Sequence, residues 1–145
     1  MASEQPISLS ERQEQCKPVV LVVDDDLTHQ KLLGLLSDRL GITCYMCSSC
    51  AEALDALRMF SFDVILMDYR MPEVDGCICS ERIREMKEEI RGNIPIIAVT
   101  AHIMPGSKEK CLAAGMNDFL GKPFTLEELE AKLCFWLERK TESKG

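Results

Sequence analysis

Short apolar runs alternate along the chain with longer segments whose apolar residues recur at helical spacing. Val19–Val23 (VVLVV) is apolar throughout and mostly β-branched, which is typical of a strand buried on both faces of a sheet. From Thr28 to Leu40, apolar residues at 32, 33, 35, 36 and 40 form one helical stripe, and Gly41 predicts the end of that helix. The same alternation predicts strands at 42–47, 62–67, 94–100 and 119–121, and helices at 51–60, 77–89 and 107–114.

The strongest helix signal lies near the C-terminal end of the sequence. Thr125 and Glu128 have the spacing of a capping box, in which each side chain accepts a hydrogen bond from the other residue's backbone N–H. Arg139 and Lys140 are predicted to close the last turn, where positive charge is favourable. Four leucines make up the face that we expect to be buried: Leu126, Leu129, Leu133 and Leu137.

Five strands that alternate with five helices predict an α/β fold, with a parallel sheet covered by helices on both faces. We expect one domain over residues 18–140, because the alternation continues throughout that range. Residues 1–17 are polar and are interpreted as a flexible tail or linker, and residues 141–145 as a short C-terminal tail.

Net charge and composition argue against some classes of binding partner. The chain has 145 residues and a net charge of −7, which argues against nucleic acid or an anionic membrane as the main partner. No apolar run approaches the roughly 20 residues of a membrane span, and the first residues lack the apolar core of a signal peptide. We therefore expect a cytoplasmic protein.

The chain has eight cysteines, and in a cytoplasmic protein we expect them to be reduced. Cys44, Cys47 and Cys50 have a spacing found in some metal sites. The segment before Cys47 is predicted to be a strand, so Cys44 and Cys47 should point to opposite faces. Ser49 and Glu52 form a predicted capping box, which puts Cys50 in the first turn of a helix. We interpret these cysteines as small core residues.

Polar side chains follow four of the predicted strands. In parallel sheets the functional site lies beyond the carboxyl ends of the strands. Clustered carboxylates suit magnesium, and a hydroxyl and an amine beside them suit a phosphoryl group, whose transfer depends on neutralising its oxygens. The residues at these ends are Asp24, Asp25, Asp26, Asp68, Thr100 and Lys122.

Four segments occur in an order and spacing that resemble the receiver domain of two-component response regulators: VVLVVDDD, DVILMDYRMPEVDG, IPIIAVTAH and GMNDFLGKPFT. The resemblance covers about residues 18–140. It implies a flavodoxin-like fold, a three-layer sandwich with strand order 2-1-3-4-5. It also implies a switch based on phosphorylation of an aspartate with Mg²⁺ as cofactor.

The resemblance assigns roles to individual residues. Asp68 would be the phosphoacceptor and would also bind Mg²⁺. Asp25 would bind the ion directly and Asp24 through water, and the backbone carbonyl of Arg70 would supply a further ligand.

On the other side of the site, Thr100 would hydrogen-bond the phosphoryl group and Lys122 would pair with it. Phe119 would take the switch aromatic position, and Lys122–Pro123 would be a cis peptide bond, which costs little only before proline.

Other residues near the motifs have simpler explanations. Asp26 is expected to cap the first helix, and Asp75 and Gly76 to shape the turn into the third helix. His29 and His102 are expected at the rim of the pocket, and Arg70 and His102 occupy positions that tune phosphate lifetime in the family.

Part of the sequence also fits a different class of protein. The segment DDDLT also fits the opening motif of haloacid-dehalogenase-type phosphatases, with Asp24 as nucleophile and Asp26 as general acid. That family needs a late acidic pair after a strand, whereas here only Asp118 is available, and it precedes the strand. A third alternative is an interaction domain that has lost phosphorylation.

Only TESKG follows the last predicted helix, so we expect either a single-domain regulator or the receiver part of a hybrid sensor histidine kinase, and favour the latter. The expected partners are a histidine kinase or a histidine phosphotransfer domain, with no nucleic acid and no membrane contact. The expected oligomeric state is a monomer or weak dimer. No separate enzymatic activity is expected beyond magnesium-dependent self-phosphorylation and self-dephosphorylation at Asp68.

Overall fold

A computed structural model describes residues 18–71, 74–86, 93–101 and 105–144, with side chains described as far as residue 138. The expectations for residues 1–17, for His102 and for the last residues of the helix predicted at 77–89 lie outside this range. The strands are β1 (Val19–Val23), β2 (Thr43–Cys47), β3 (Val64–Asp68), β4 (Ile96–Thr100) and β5 (Asp118–Gly121). The helices are α1 (Leu27–Leu40), α2 (Cys50–Met59), α3 (Gly76–Arg84), α4 (Ser107–Ala113) and α5 (Leu126–Lys144).

The five strands form one parallel sheet in the order β2-β1-β3-β4-β5. The predicted fold class and strand order are therefore confirmed. The order reverses between β1 and β3, so the carboxyl ends of these two strands, which carry the aspartates, face the same crevice.

Alternate strand residues supply two separate cores, because successive side chains point to opposite faces of a sheet. On one face, Leu21 and Val23 pack with buried residues of α2, α3 and α4. On the other face, Val20 and Val22 pack with α1 and α5. Three of the four predicted α5 leucines are buried there, and Leu126 is partly buried against them. Helices therefore cover both faces, as predicted.

Local signals set most helix ends as predicted. The Asp26 carboxylate accepts from the Thr28 backbone N–H at 2.9 Å and caps α1, which ends at Gly41 with φ of 73°. The Thr125 and Glu128 side chains accept from each other's backbone N–H at 3.1 and 2.9 Å, which confirms the capping box of α5.

Two ends differ from the prediction. The Ser49 hydroxyl caps α2 as expected, but the Glu52 carboxylate accepts from the N–H of Ser48 rather than Ser49. Helix α5 continues to Lys144, past the end predicted at Arg139 and Lys140. The sequence from 139 to 144 contains no glycine or proline that would end a helix, and the first such residue is at 145.

The cysteines follow the prediction in part. Cys44 packs on the α1 side of the sheet and Cys47 on the opposite side, which confirms that they diverge. Cys50 and Cys79, however, are joined by a disulfide, so the expectation of reduced cysteines is wrong for this pair. The two lie 29 residues apart on different helices, with a Cα–Cα distance of 5.6 Å. Their approach comes from helix packing and has no local sequence signal.

Among the described helices, none combines the length and the apolar character needed to cross a membrane.

Candidate functional site

Three carboxylates meet where β1 and β3 end. Asp24 and Asp68 are buried and Asp25 is exposed, and one oxygen from each lies within 4.8 Å of the others. Asp24 and Asp68 are 44 positions apart in sequence, and the parallel pairing of β1 with β3 brings them together. The structure thus gathers the three aspartates that the sequence assigned to one site.

Backbone contacts fix Asp24 in this cluster. Its N–H donates to the Cys47 carbonyl at 2.9 Å, which ties it to the end of β2. Its Oδ1 accepts from the Asp26 N–H at 2.9 Å, and its carbonyl accepts from the Gln30 side chain at 2.6 Å. The Asp24 carboxylate is therefore held in place before any ligand arrives.

The Asp68 carboxyl has an altered acidity. Burial, reinforced by the negative charge of Asp24, raises the pKa of Asp68 to about 6. The Lys122 ammonium and the Arg70 backbone N–H, which donates to Asp68 Oδ1 at 3.3 Å, lower this pKa and only partly compensate. A site in which like charges oppose each other this strongly favours a cation.

Lys122 supplies positive charge from the end of β5. Its side chain is 15% exposed, and its Nζ lies 3.5 Å from Asp24 Oδ2. Nζ also lies 2.8 Å from His29 Nδ1. Since an ammonium can only donate, Nδ1 accepts and the ring proton is on Nε2. Nδ1 therefore has no proton to donate to the carboxylates of Asp24 and Asp26, which lie 3.3 and 3.6 Å away.

The contact between His29 and Lys122 was missed in the sequence, where His29 was placed at the rim only. The two residues are 93 positions apart. The available signal was that His29 lies one turn into α1, three residues after the capping Asp26.

Thr100 and Lys122 are joined through the backbone. The Lys122 N–H donates to the Thr100 carbonyl at 2.8 Å, beside the pairing of Thr100 with Gly121. Thr100 is 2% exposed. Phe119 lies further back on β5, opposite Ala98, and is partly buried against the core shared with α2 to α4. The peptide bond between Lys122 and Pro123 is cis, in agreement with the resemblance.

Gly76, at the start of α3, lies directly against the acceptor strand. Its N–H donates to the Tyr69 carbonyl at 2.9 Å. A Cβ at this position would lie 2.5 Å from the Asp68 carbonyl oxygen. Asp75 accepts from the Ile78 N–H at 2.9 Å and caps α3, so both residues shape this turn as predicted. The glycine is required because α3 begins so close to β3.

The donor set fits a hard divalent cation. It consists of three carboxylates, and the nearby imidazole nitrogen is occupied by Lys122. Oxygen ligands of this kind suit magnesium, whereas soft metals favour thiolates.

The arrangement contradicts the phosphatase alternative. Asp118 pairs with Ile97 at the amino end of β5, three positions before Thr100 pairs with Gly121. At roughly 3.3 Å per residue, Asp118 is about 10 Å from the carboxyl edge of the sheet. Its carboxylate is bound by Lys132 and Trp136, both at 2.7 Å. It cannot complete a metal site with Asp24.

Comparison with known proteins agrees with the geometry. The family model for the response regulator receiver domain matches residues 20–134. The histidine-protein kinase BarA of Escherichia coli K12 is 41% identical over 110 residues, which are 76% of this chain. The matched region is 12% of that kinase, so the chain spans about an eighth of this relative.

Solved receiver domains have the same fold. The receiver domain of sensor histidine kinase PA1611 from Pseudomonas aeruginosa, with magnesium coordinated in its active site cleft, is 34% identical with a TM-score of 0.77. The match covers 85% of this chain and 99% of that one. The Saccharomyces cerevisiae Ssk1 receiver domain, crystallised with the histidine phosphotransfer protein Ypd1, is 27% identical with a TM-score of 0.75, over 83% and 88% of the two chains. Taken with the aspartate cluster at the ends of β1 and β3, these matches show that the chain belongs to the response regulator receiver domain family.

Proposed function

We propose that this chain is the phosphoacceptor of a two-component phosphorelay and that Asp68 carries the phosphoryl group. The observation that supports the proposal best is the meeting of Asp24, Asp25 and Asp68 beside the Lys122 ammonium. Such a cluster offers a nucleophilic carboxylate together with groups that neutralise negative charge.

In this proposal the Asp68 carboxylate attacks the phosphorus of a phosphohistidine. The bond from phosphorus to the donor imidazole nitrogen breaks as the bond to Asp68 oxygen forms. Lys122 and the Thr100 hydroxyl bind the phosphoryl oxygens. The raised pKa of Asp68 is compatible with this role, because a cation in the site would return the carboxyl to its charged, nucleophilic form.

Magnesium is the cation that we propose for the site. Asp25 and Asp68 would bind it directly, Asp24 through water, and the Arg70 backbone carbonyl would complete the protein's share of ligands. When bound, the ion would neutralise charge that develops on the transferred group. The exposed position of Asp25 leaves one side of the site open for a donor protein.

Phosphorylation would then change the surface of the molecule. We infer that Thr100 shifts toward the phosphoryl group and that Phe119, on the neighbouring strand, follows. The pairing of β4 with β5 and the hydrogen bond from the Lys122 N–H to the Thr100 carbonyl connect the two elements. The surface affected is formed by α4, β5 and α5.

For the partners we propose a histidine kinase or a histidine phosphotransfer domain. The yeast receiver domain crystallised with Ypd1 has the same fold, and the bacterial relative is a histidine kinase. We infer that the chain is the receiver part of a hybrid sensor histidine kinase, with a single-domain regulator as the alternative. The domain limits at 18 and 140, the cytoplasmic location and the monomeric or weakly dimeric state stay predictions.

The test is intact mass spectrometry after incubation with acetyl phosphate. Wild-type protein should gain one phosphoryl group in the presence of Mg²⁺ and none in EDTA, and Asp68→Asn should gain none under either condition. Asp55→Asn is the matched control, because Asp55 is an exposed aspartate on α2 that pairs with Arg58 on the same helix. It should be modified as fast as wild type.

Two outcomes would contradict the proposal. One is a wild-type protein without any adduct. The other is an adduct that persists in Asp68→Asn but is lost in Asp24→Asn, which would move the nucleophile to the aspartate favoured by the phosphatase alternative.

A further inference from the structure

Cys50 and Cys79 connect two helices at the edge of the sheet that holds the acidic site. Cys50 is the first residue of α2 and Cys79 lies in the first turn of α3. Their Cα atoms are 5.6 Å apart, within the range that a disulfide spans without backbone movement. The bond closes a loop that contains all of β3, including Asp68.

The two ends of this bond lie on the segments that position the acidic residues. Three residues before Cys50, the Cys47 carbonyl accepts from the Asp24 N–H at 2.9 Å. Three residues before Cys79, Gly76 packs against the Asp68 carbonyl and donates to Tyr69. The disulfide thus joins the segment around Cys47, which supports Asp24, to the segment around Gly76, which supports Asp68.

The surroundings decide which sulfur reacts first. Cys79 has none of its surface exposed, whereas Cys50 is 4% exposed. Cys50 lines a cavity of about 320 Å³ that also contacts Asp25 and Arg82. A small reagent that enters through this cavity therefore reaches Cys50 before Cys79.

A second cysteine pair on the same helix provides a comparison. Cys77 and Cys111 are free thiols in contact between α3 and α4. Burial raises the pKa of both, that of Cys111 to about 12, so neither forms a thiolate readily. Cys77 directly follows Gly76, but this pair connects α3 to α4, whereas Cys50 and Cys79 connect α3 to α2, the helix that begins three residues after the Asp24 partner Cys47.

We propose that Cys50 and Cys79 are a reversible thiol–disulfide switch that controls the readiness of the acidic site. A small-molecule disulfide is the oxidant. Cys50 attacks one of its sulfurs and releases a thiol, and Cys79 then attacks Cys50 Sγ and releases the second. The two cysteines lose two electrons and two protons, and the oxidant becomes two thiols.

The disulfide holds the segments that position Asp24 and Asp68 in the arrangement seen here. The oxidised form therefore loses less conformational entropy when it binds a cation. The reduced form, expected in a thiol-rich compartment, has freer supports and binds more weakly. The effects on phosphorylation and on Mg²⁺ binding rest on the proposed function and its proposed cation, whereas the effect on thiol state does not.

The first experiment measures thiol state alone. Wild-type protein is equilibrated in buffers of varied reduced to oxidised glutathione, alkylated, and weighed by intact mass. One two-electron transition should appear that is reversible, absent in Cys50→Ser, absent in Cys79→Ser and unchanged in the Cys77→Ser/Cys111→Ser control. A transition that survives either single variant, or a pair that never oxidises, would overturn the proposal.

The second experiment measures Mg²⁺ binding by calorimetry on oxidised and reduced wild type. We expect the reduced form to bind about 3- to 10-fold more weakly, as the loss of pre-organisation implies. Cys50→Ala/Cys79→Ala should bind like the reduced form under all conditions. Equal affinities of the two forms would overturn the coupling.

The same samples are then incubated with acetyl phosphate. A lower rate of adduct formation in the reduced form supports the switch, and equal rates in both forms would contradict it. No adduct in either form, with redox-dependent Mg²⁺ binding intact, would contradict the proposed function and leave the switch standing.

Discussion

At the scale of single residues, the acidic site combines groups that destabilise each other in the absence of a cation. Burial and the charge of Asp24 raise the pKa of Asp68, so its ionised form is less favourable in the folded chain than in the unfolded one. The contribution of Asp68 to the free energy of unfolding therefore decreases as pH rises from about 4 through about 6.

We predict that Asp68→Asn stabilises the metal-free protein at pH 7. The asparagine removes the unfavourable charge while its Oδ1 can still accept from the Arg70 N–H. After allowance for solvent screening, the gain in the free energy of unfolding is about 1 kcal/mol. Urea unfolding in EDTA measures it, and the gain should vanish well below pH 4, where wild-type Asp68 is protonated in both the folded and the unfolded state. An unchanged or lower stability at pH 7 would contradict the prediction, and Asp55→Asn is the control.

Gly76 gives a second prediction at this scale. In Gly76→Ala the new Cβ would meet the Asp68 carbonyl oxygen at 2.5 Å, and backbone cannot move aside cheaply. We expect a loss of about 1–3 kcal/mol in the free energy of unfolding and slower phosphorylation of Asp68.

The matched control is Gly34→Ala in α1, where a Cβ meets nothing closer than Met46 Cε at 3.9 Å. That variant should be more stable by up to about 1 kcal/mol. The comparison uses urea unfolding of both proteins, and a Gly76→Ala variant as stable as wild type would show that α3 can shift away from β3.

At the scale of elements, Asp118 holds β5 against α5. Burial alone would raise its pKa, but hydrogen bonds from Lys132, Trp136 and the Phe119 N–H outweigh it and lower the pKa below the usual value. A carboxyl with a lowered pKa stabilises the folded state above its unfolded pKa, and this contribution is lost as pH falls through the folded value.

We therefore predict that Asp118→Asn lowers the free energy of unfolding by about 1–2 kcal/mol at pH 7, because hydrogen bonds to a charged acceptor are replaced by neutral ones. As pH falls through the lowered folded pKa, the difference from wild type should shrink, since wild-type Asp118 becomes protonated. Urea unfolding at pH 7 and pH 3 tests the sign. A difference that grows on acidification would be incompatible with the lowered pKa.

At the scale of the whole molecule, the acidic site lies where strand order reverses, so elements from both halves of the chain meet in it. A ligand that binds only this assembled arrangement stabilises the entire fold. Mg²⁺ should therefore raise the free energy of unfolding by about 2–3 kcal/mol when the free ion is roughly a hundred times its dissociation constant.

Asp25→Asn should lose most of that gain while folding normally, because Asp25 is exposed. Thermal unfolding with and without Mg²⁺ measures the effect in wild type, Asp25→Asn and Asp55→Asn. If Asp25→Asn is stabilised by Mg²⁺ as much as wild type is, Asp25 does not bind the ion.

The local part of the structure could be predicted from the sequence because it depends on neighbours along the chain. Periodicity placed all five strands and all five helices, and side chains within a few residues of each helix start set the caps of α1 and α5. The run of three aspartates after β1 also indicated the acidic site. Helix α5 passed its predicted end because Arg139 and Lys140 favour a helix terminus without enforcing one.

Only the tertiary structure decided which distant groups touch. The contact of His29 with Lys122, the need for glycine at 76 and the bond between Cys50 and Cys79 all depend on how strands and helices pack. His29 and Lys122 are 93 positions apart and Cys50 and Cys79 are 29 apart, too far for any local pattern to encode. Gly76 and Asp68 are closer in sequence, but their contact depends on where α3 begins against β3. The sequence by itself determined the elements and the chemistry available at their ends. The parallel order of the strands determined that Asp24, Asp68 and Lys122 share one site, because it brings their carboxyl ends to the same edge.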